Sequence, residues 1–195
     1  MTSADPIAVA KAEIRRDVIA RREALPAVER VAAAERVATR GLPVAVPAGA
    51  VVSGYSPLKS EISPVPLMRL ATDAGAQLAL PVVVGRGHPL TMRAWKFGEA
   101  LGSGVWGIRE PKPEAPEVFP DILLVPLVAF DRQGYRVGYG AGYYDMTIAR
   151  LRKMKPVVAI GVAFAAQEIS AVPKTTHDEK LDLVLTENEV IDLRA

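Results

Sequence analysis

The sequence contains no cysteine. Disulfides, thiolate catalysis and zinc or iron–sulfur sites built on cysteine are therefore excluded. The absence does not choose a compartment, because it suits a reducing and an oxidising one equally. Histidine is nearly absent too: His88 and His177 are the only two, which excludes a histidine-rich metal site. No block of like charge exists. Lys and Arg total 24 against 22 Asp and Glu; residues 1–40 carry eight basic and six acidic side chains, and the remainder sixteen of each. A sequence pI near 8.9 thus marks no basic face for duplex nucleic acid or a membrane surface. Apolar runs such as Ile122–Phe130 fall far short of the ~20 residues a membrane-spanning helix needs. The N-terminus lacks the charged, apolar and small-residue order of a signal peptide, and there is no internal repeat. These absences predict a soluble, cytoplasmic protein with no nucleic-acid or membrane partner. Its oligomeric state is left open between monomer and weak dimer.

What remains is 195 residues, half of them hydrophobic and 24 % charged. That is one expected domain over 1–195, long enough to bury about 70 % of its unfolded surface. Asp5 reads as a helix N-cap and Pro6 as the first helical residue. Ile7, Ala10, Ile14, Val18 and Leu25 mark one apolar stripe, broken at Leu25-Pro26. A second helix is predicted from Ala27 to Arg40, stopping at Gly41. These two helices, residues 1–41, are expected to pack as a pair on an α/β body. In that body the sequence predicts strands at 50–54, 78–84, 122–128, 157–162 and 181–185. A hairpin is predicted through Gly85–Gly87, with helices from Ser63-Pro64 to Ala74 and from Tyr143 to Lys153. Residues 98–120 read as a long surface loop. Strands alternating with helices imply an α/β domain with a parallel or mixed sheet.

The strongest chemical signal is Arg136-Val137-Gly138-Tyr139-Gly140-Ala141-Gly142-Tyr143-Tyr144-Asp145. It follows a predicted strand and opens a predicted helix. Alternate glycines bare the backbone N–H groups, and a helix N-terminus adds partial positive charge, which together suit a phosphate. Arg136 can pair with phosphate oxygens, and Asp145 is a hard oxygen donor of the kind Mg²⁺ prefers. The plain alternative is a tight strand–helix turn. The segment matches neither G-x-x-x-x-G-K-[ST] nor G-x-G-x-x-G, which argues against a P-loop and against a Rossmann dinucleotide site. Lys11 and Arg15 share a helix face, with Arg22 close to the same line; taken alone, that face reads as solvated. Glu61, in a loop after a strand, could bond a polar heterocycle or simply be solvated. Trp106, in the long loop, could stack on a flat substrate. Asp182 lies in an apolar stretch, where a carboxylate needs a partner or a cation. His177-Asp178 favours a structural or orienting role for His177.

Taken together these residues resemble the 5-formyltetrahydrofolate cyclo-ligase family, from about residue 8 to about residue 190. Val125–Asp131 followed by Arg136–Asp145 carries most of the likeness. Support comes from Lys11-x-x-x-Arg15, Glu61-Ile62, Leu80-Pro81-Val82 and Gly107-Ile108-Arg109-Glu110-Pro111, and at the far end from Ala166-Gln167, Pro173, His177-Asp178, Leu181-Asp182 and Thr186-Glu187. The resemblance implies a single three-layer α/β/α domain with a mixed, largely parallel sheet, like the sugar-phosphate isomerases and CoA-transferases. It also implies ATP- and Mg²⁺-dependent closure of 5-formyltetrahydrofolate, with or without a polyglutamate tail, to 5,10-methenyltetrahydrofolate. On that likeness Lys11, Arg15, Arg136 and the loop Gly138, Tyr139, Gly140, Ala141, Gly142, Tyr143 and Tyr144 bind ATP. Ser56, Glu61, Trp106 and Tyr143 bind the folate. Asp145 and Asp182 serve Mg²⁺, and Arg136, Tyr143 and Asp145 are the catalytic set. The chain departs from the family pattern at Ser63, Tyr139, Ala141 and Met146; the last three remove positive charge that members of the family carry near the phosphates. Two alternatives stand beside this reading: an ATP-using relative acting on another N-formyl substrate, and a catalytically inactive nucleotide-binding regulator.

Overall fold

A computed structural model describes residues 5–194. Its first helix, α1 (Pro6–Glu23), begins where the sequence predicts: the Asp5 carboxylate accepts from the Ile7 amide at 3.0 Å, and Pro6 occupies the first turn. Pro26 separates it from α2 (Ala27–Thr39). The main sheet then forms from β1 (Val51–Ser53), β2 (Gln77–Val82), β3 (Thr91–Ala94), β6 (Ile122–Pro126), β9 (Val158–Val162), β10 (Leu183–Leu185) and β11 (Val190–Asp192). Their spatial order is β11-β10-β9-β6-β1-β2-β3. The five inner strands run parallel; β3 and β11 close the two edges antiparallel. The mixed, largely parallel sheet is thus as expected, and α3 (Val65–Asp73) and α4 (Tyr143–Met154) complete the layers.

Side-chain alternation along the strands explains why both faces are covered. Ile122 and Leu124 of β6 point to one side and join Val52, Ile160 and Leu183 under Ala33, Ala34 and Val37 of α2 and Leu67, Met68 and Ala71 of α3. Leu123 and Val125 point to the other and join Ala159 and Val184 under Ile148 and Leu151 of α4. The helical pair does not pack as a unit. α2 belongs to the sheet-covering layer, whereas α1 lies with Val18 in a separate small core made with Val128, Ala129, Val137 and Val172.

Three small elements escape the sequence reading. The loop 98–120 contains a ribbon of β4 (Gly102–Ser103) and β5 (Arg109–Glu110) around a 3-10 turn at Val105–Gly107. A second ribbon, β7 (Ala129–Phe130) with β8 (Arg136–Val137), carries the chain into the glycine loop. The third is β11. Pro126 does end β6, as its missing N–H requires.

One polar residue ties the ends of these elements together. Gln167 is 1 % exposed; its amide nitrogen donates to the Leu127 and Val128 carbonyls, and its amide oxygen accepts from the Phe164 N–H. Gln167→Ala strands three buried backbone groups. A loss of about 2–3 kcal/mol is expected, read as a lower midpoint in urea at unchanged slope.

Candidate active site

The sheet order fixes where a ligand can sit. From β1 the chain moves to one side, through β2 and β3, and then returns to β6 on the other. In a sheet of this kind the ligand crevice lies outside the carboxyl ends of the strands where the direction reverses, here β1 and β6. Glu61 is on the loop after β1, and the glycine loop follows β6 through the β7–β8 ribbon.

That ribbon is set by Asp131, which is 1 % exposed. Its carboxylate accepts from the amides of Gln133, Tyr135 and Val172 at 2.8–3.0 Å, closing the turn that aims β8 at the crevice. Beyond β8, Gly140 (φ +103°) and Gly142 (φ +68°) hold conformations that side chains resist. Gly142 is the N-cap of α4, which has no side-chain cap. Among the described residues, the amides of Tyr143, Tyr144 and Asp145 have no partner, as expected for a first helical turn. Open amides and a helix dipole are features that can receive an anion.

Helix α1 lies across this loop. Lys11, Arg15 and Arg22 fall on one face at spacings of four and seven. The Arg15 Nε donates to the Gly138 carbonyl at 2.7 Å. Lys11 is held by both oxygens of Asp178, at 2.7 and 2.8 Å. Burial works to raise the Asp178 carboxyl, but Lys11 and Thr175 outweigh it and hold it below the usual carboxylate range. Arg22, read as part of a solvated face, is 1 % exposed; its Nε donates to the Ser60 hydroxyl at 3.0 Å and its Nη2 to the Tyr139 hydroxyl at 2.8 Å.

Glu61 faces the same space. Its Oε2 accepts from the Leu58 amide at 2.7 Å. Burial raises its pKa, with the Leu58 amide, Tyr139 and Arg22 pulling the other way. The Tyr139 phenol is pushed up to about 12, chiefly by burial and then by Glu61, so it stays protonated and can donate. Among the described residues, two buried side-chain polar atoms lack a partner: the Arg22 Nη1 and the Tyr144 hydroxyl. Both residues act electrostatically on Glu61 or are acted on by it. The β4–β5 ribbon bends over this region, pinned by the Ser56 hydroxyl donating to the Arg109 carbonyl at 2.6 Å. Its Trp106 is 69 % exposed, sits at φ +58°, and lies 6.2 Å centroid to centroid from Tyr143. An exposed ring held in a left-handed backbone beside a second ring offers a face to a planar ligand.

Three expectations change. Arg136 does not face the loop: its side chain is 4 % exposed, and its two Nη groups donate to the Glu179 carbonyl at 2.6 Å and to Asp145 Oδ1 at 2.8 Å. It is an anchor for Asp145, with burial drawing its pKa below the ordinary value. Asp182 has partners of its own within the protein. It stands at the amino end of β10, where its Oδ2 accepts from Arg152 at the far end of α4 and from the Ala159 amide. The carboxylate in the apolar stretch thus has an ion-pair partner in Arg152. His177 is exposed, while its neighbour Asp178 does the ordering through Lys11. Among the described residues no three acidic or histidine side chains gather around one point. Asp145 spends only Oδ1, on Arg136 and the Glu179 amide, so its Oδ2 is open.

The loop's geometry makes a direct test. A Cβ on Gly140 would lie 3.5 Å from the Arg15 guanidinium at a φ no branched side chain tolerates. Gly140→Val is expected to cost about 1–3 kcal/mol in backbone strain and, if the loop receives an anion, to weaken its affinity at least tenfold, measured by calorimetric titration.

A family model described as the 5-formyltetrahydrofolate cyclo-ligase family matches residues 7–187. The chain is 32 % identical over 185 residues to the 5-formyltetrahydrofolate cyclo-ligase of Mycolicibacterium smegmatis, covering 90 % of this chain and 93 % of that one. It is 31 % identical over 178 residues to the Escherichia coli K12 protein of the same name, covering 87 % and 96 %. The solved structure of Aquifex aeolicus 5,10-methenyltetrahydrofolate synthetase superposes with a TM-score of 0.78 at 34 % identity, over 95 % of this chain and 93 % of that one.

Proposed function

Because the chain belongs to the 5-formyltetrahydrofolate cyclo-ligase family, we propose that it closes 5-formyltetrahydrofolate to 5,10-methenyltetrahydrofolate at the expense of ATP, giving ADP and phosphate. The observation that carries this reading is the meeting of two unlike half-sites at the β1–β6 crevice. One is an open-amide glycine loop under Arg15. The other is a half-buried carboxylate, Glu61, with the Trp106–Tyr143 ring pair offering flat faces.

The chemistry needs both. A formyl amide is a poor electrophile, so its oxygen must become a leaving group. The γ-phosphoryl group passes to that oxygen, N10 attacks the activated carbon and loses its proton, and phosphate departs as the ring closes. Such transfers depend on positioning and on stabilising charge. The amides of Gly140–Tyr144 and the Nη groups of Arg15 receive the phosphates. Lys11 adds its charge at the mouth, where Asp178 holds it. Glu61 accepts N–H groups of the pterin. Trp106 and Tyr143 provide flat faces, and Ser56 keeps the ribbon over them. Asp145 Oδ2, with the nucleotide's own oxygens, is the donor that would hold Mg²⁺; one carboxylate plus phosphates is an ordinary set for that ion. When bound, the ion neutralises phosphate charge. Arg136 positions Asp145 and touches no substrate.

The oxygen book-keeping supplies the test. With ¹⁸O in the formyl group, the label is expected in inorganic phosphate after turnover, read by mass spectrometry. Label released to water would contradict formyl-oxygen phosphorylation.

A further inference from the structure

The two orphaned polar atoms ask for an explanation beyond the nucleotide loop. Buried donors are almost always paired, and a guanidinium nitrogen left bare costs more than most. Arg22 is 1 % exposed, so neither bulk solvent nor chance explains its Nη1. The rest of the side chain is held firmly: Nε on Ser60, the residue before Glu61, and Nη2 on Tyr139, the residue inside the glycine loop. Arg22 therefore bridges the two loops that form the crevice, with one donor left over. The cover over it is light. Tyr139 is 47 % exposed, and its ring centroid stands 6.0 Å from the guanidinium carbon, at the outer limit of a cation–π contact.

Resting on the cyclo-ligase reading, we propose that Arg22 is a substrate-orienting residue whose Nη1 donates to the carbonyl oxygen on the pyrimidine edge of the folate, beside the N–H groups that Glu61 accepts. The chemistry is complementary. A 2-amino-4-oxo pyrimidine presents a carbonyl acceptor next to ring and amino N–H donors. An arginine donor next to a carboxylate acceptor answers that row. Neither Lys11 nor Arg136 can serve, since the first is paired with Asp178 and the second with Asp145 and Glu179. The Tyr139 oxygen holds Nη2, which leaves Nη1 as the donor for the carbonyl and the Tyr139 proton for Glu61. The same contact gives specificity: an analogue with an amino group in place of the carbonyl sets a donor against a donor.

The test compares 5-formyltetrahydrofolate with its 4-amino analogue on the intact protein. Binding is followed by quenching of tryptophan fluorescence without ATP, and turnover by absorbance. Wild type is expected to prefer the 4-oxo compound by about 10–100-fold, the worth of a hydrogen bond to a charged group. Arg22→Lys and Arg22→Gln are expected to lose most of that preference. They raise KM for the folate, while KM for ATP moves less than about twofold. Tyr139→Phe, which retains the Arg22 guanidinium, is expected to keep the preference, and urea denaturation of the Arg22 variants checks their folding directly. Variants that cyclise and retain the wild-type preference would overturn the proposal while leaving the cyclo-ligase reading intact. A wild type that neither binds nor cyclises 5-formyltetrahydrofolate would overturn that reading, and this inference with it.

Discussion

Asp145→Ala is expected to lose both turnover and stability. The carboxylate is the counter-ion of Arg136, whose side chain is 4 % exposed, and Asp145 itself is only 25 % exposed. Removing one member of a buried pair leaves a charge with no partner, at about 3–5 kcal/mol. The lower end applies here, because water reaches part of Asp145. The Glu179 amide is stranded as well. Activity should fall by at least a hundredfold, since the carboxylate is also the open donor beside the phosphates. A double variant separates the two effects. Arg136→Met with Asp145→Ala removes the buried charge together with its partner, so a good part of the stability should return while turnover stays low. Urea denaturation and steady-state rates on the wild type and the two variants check both halves.

Glu61→Gln is expected to be as inactive and to have the opposite effect on stability. Burial raises the Glu61 pKa above its ordinary value, so the folded protein holds that proton more tightly than the unfolded chain. For a carboxyl shifted upward, the stability it contributes is greatest below the unfolded pKa and is lost as pH rises through the folded one. At neutral pH the native protein therefore carries a desolvation cost that glutamine removes. Glutamine also retains an oxygen for the Leu58 amide. The variant should match or exceed the wild type in thermal midpoint at pH 7, and the difference should shrink on acidification. Folate affinity should show the other sign. In the wild type it improves as pH rises through the raised Glu61 pKa, because only the carboxylate accepts both pterin N–H groups; in the variant it should be weak and flat with pH. Two site carboxylates, one supporting the fold and one straining it, are thus distinguished by their environments.

Much of the architecture was legible because it rests on long or strongly punctuated segments. Asp5, Pro6, Pro26 and Gly41 delimit two helices by mechanisms that act locally. The apolar run of β6 could only be a buried strand. The glycine loop announced both its turn and its anion-binding amides. What was not legible depends on depth or on partners distant in sequence. The ribbons β4–β5 and β7–β8 pair two residues each, too few to show a period. α1 reads as one helix face, but no spacing reveals that Arg22, seven residues beyond Arg15, is sealed under Tyr139, more than a hundred positions away. Asp178, marked in the sequence only as the neighbour of His177, is the seat of Lys11. Asp182 was rightly marked as a carboxylate needing a partner, but Arg152, 30 residues earlier, supplies it. Arg136 was read as reaching for phosphate, whereas tertiary packing turned it inward to hold Asp145. In each case the residue type was informative and its partner was not, because contacts of this kind are set by the docking of loops onto α1 and α4.

The central claim is that this crevice couples ATP to ring closure. The most direct measurement is a near-ultraviolet time course with 5-formyltetrahydrofolate, because the methenyl product has a conjugated amidinium that the substrate lacks. The account predicts an absorbance rise that needs both ATP and Mg²⁺, with one ADP formed per product. A flat trace from folded protein that binds MgATP, or a rise that proceeds without nucleotide, would contradict it.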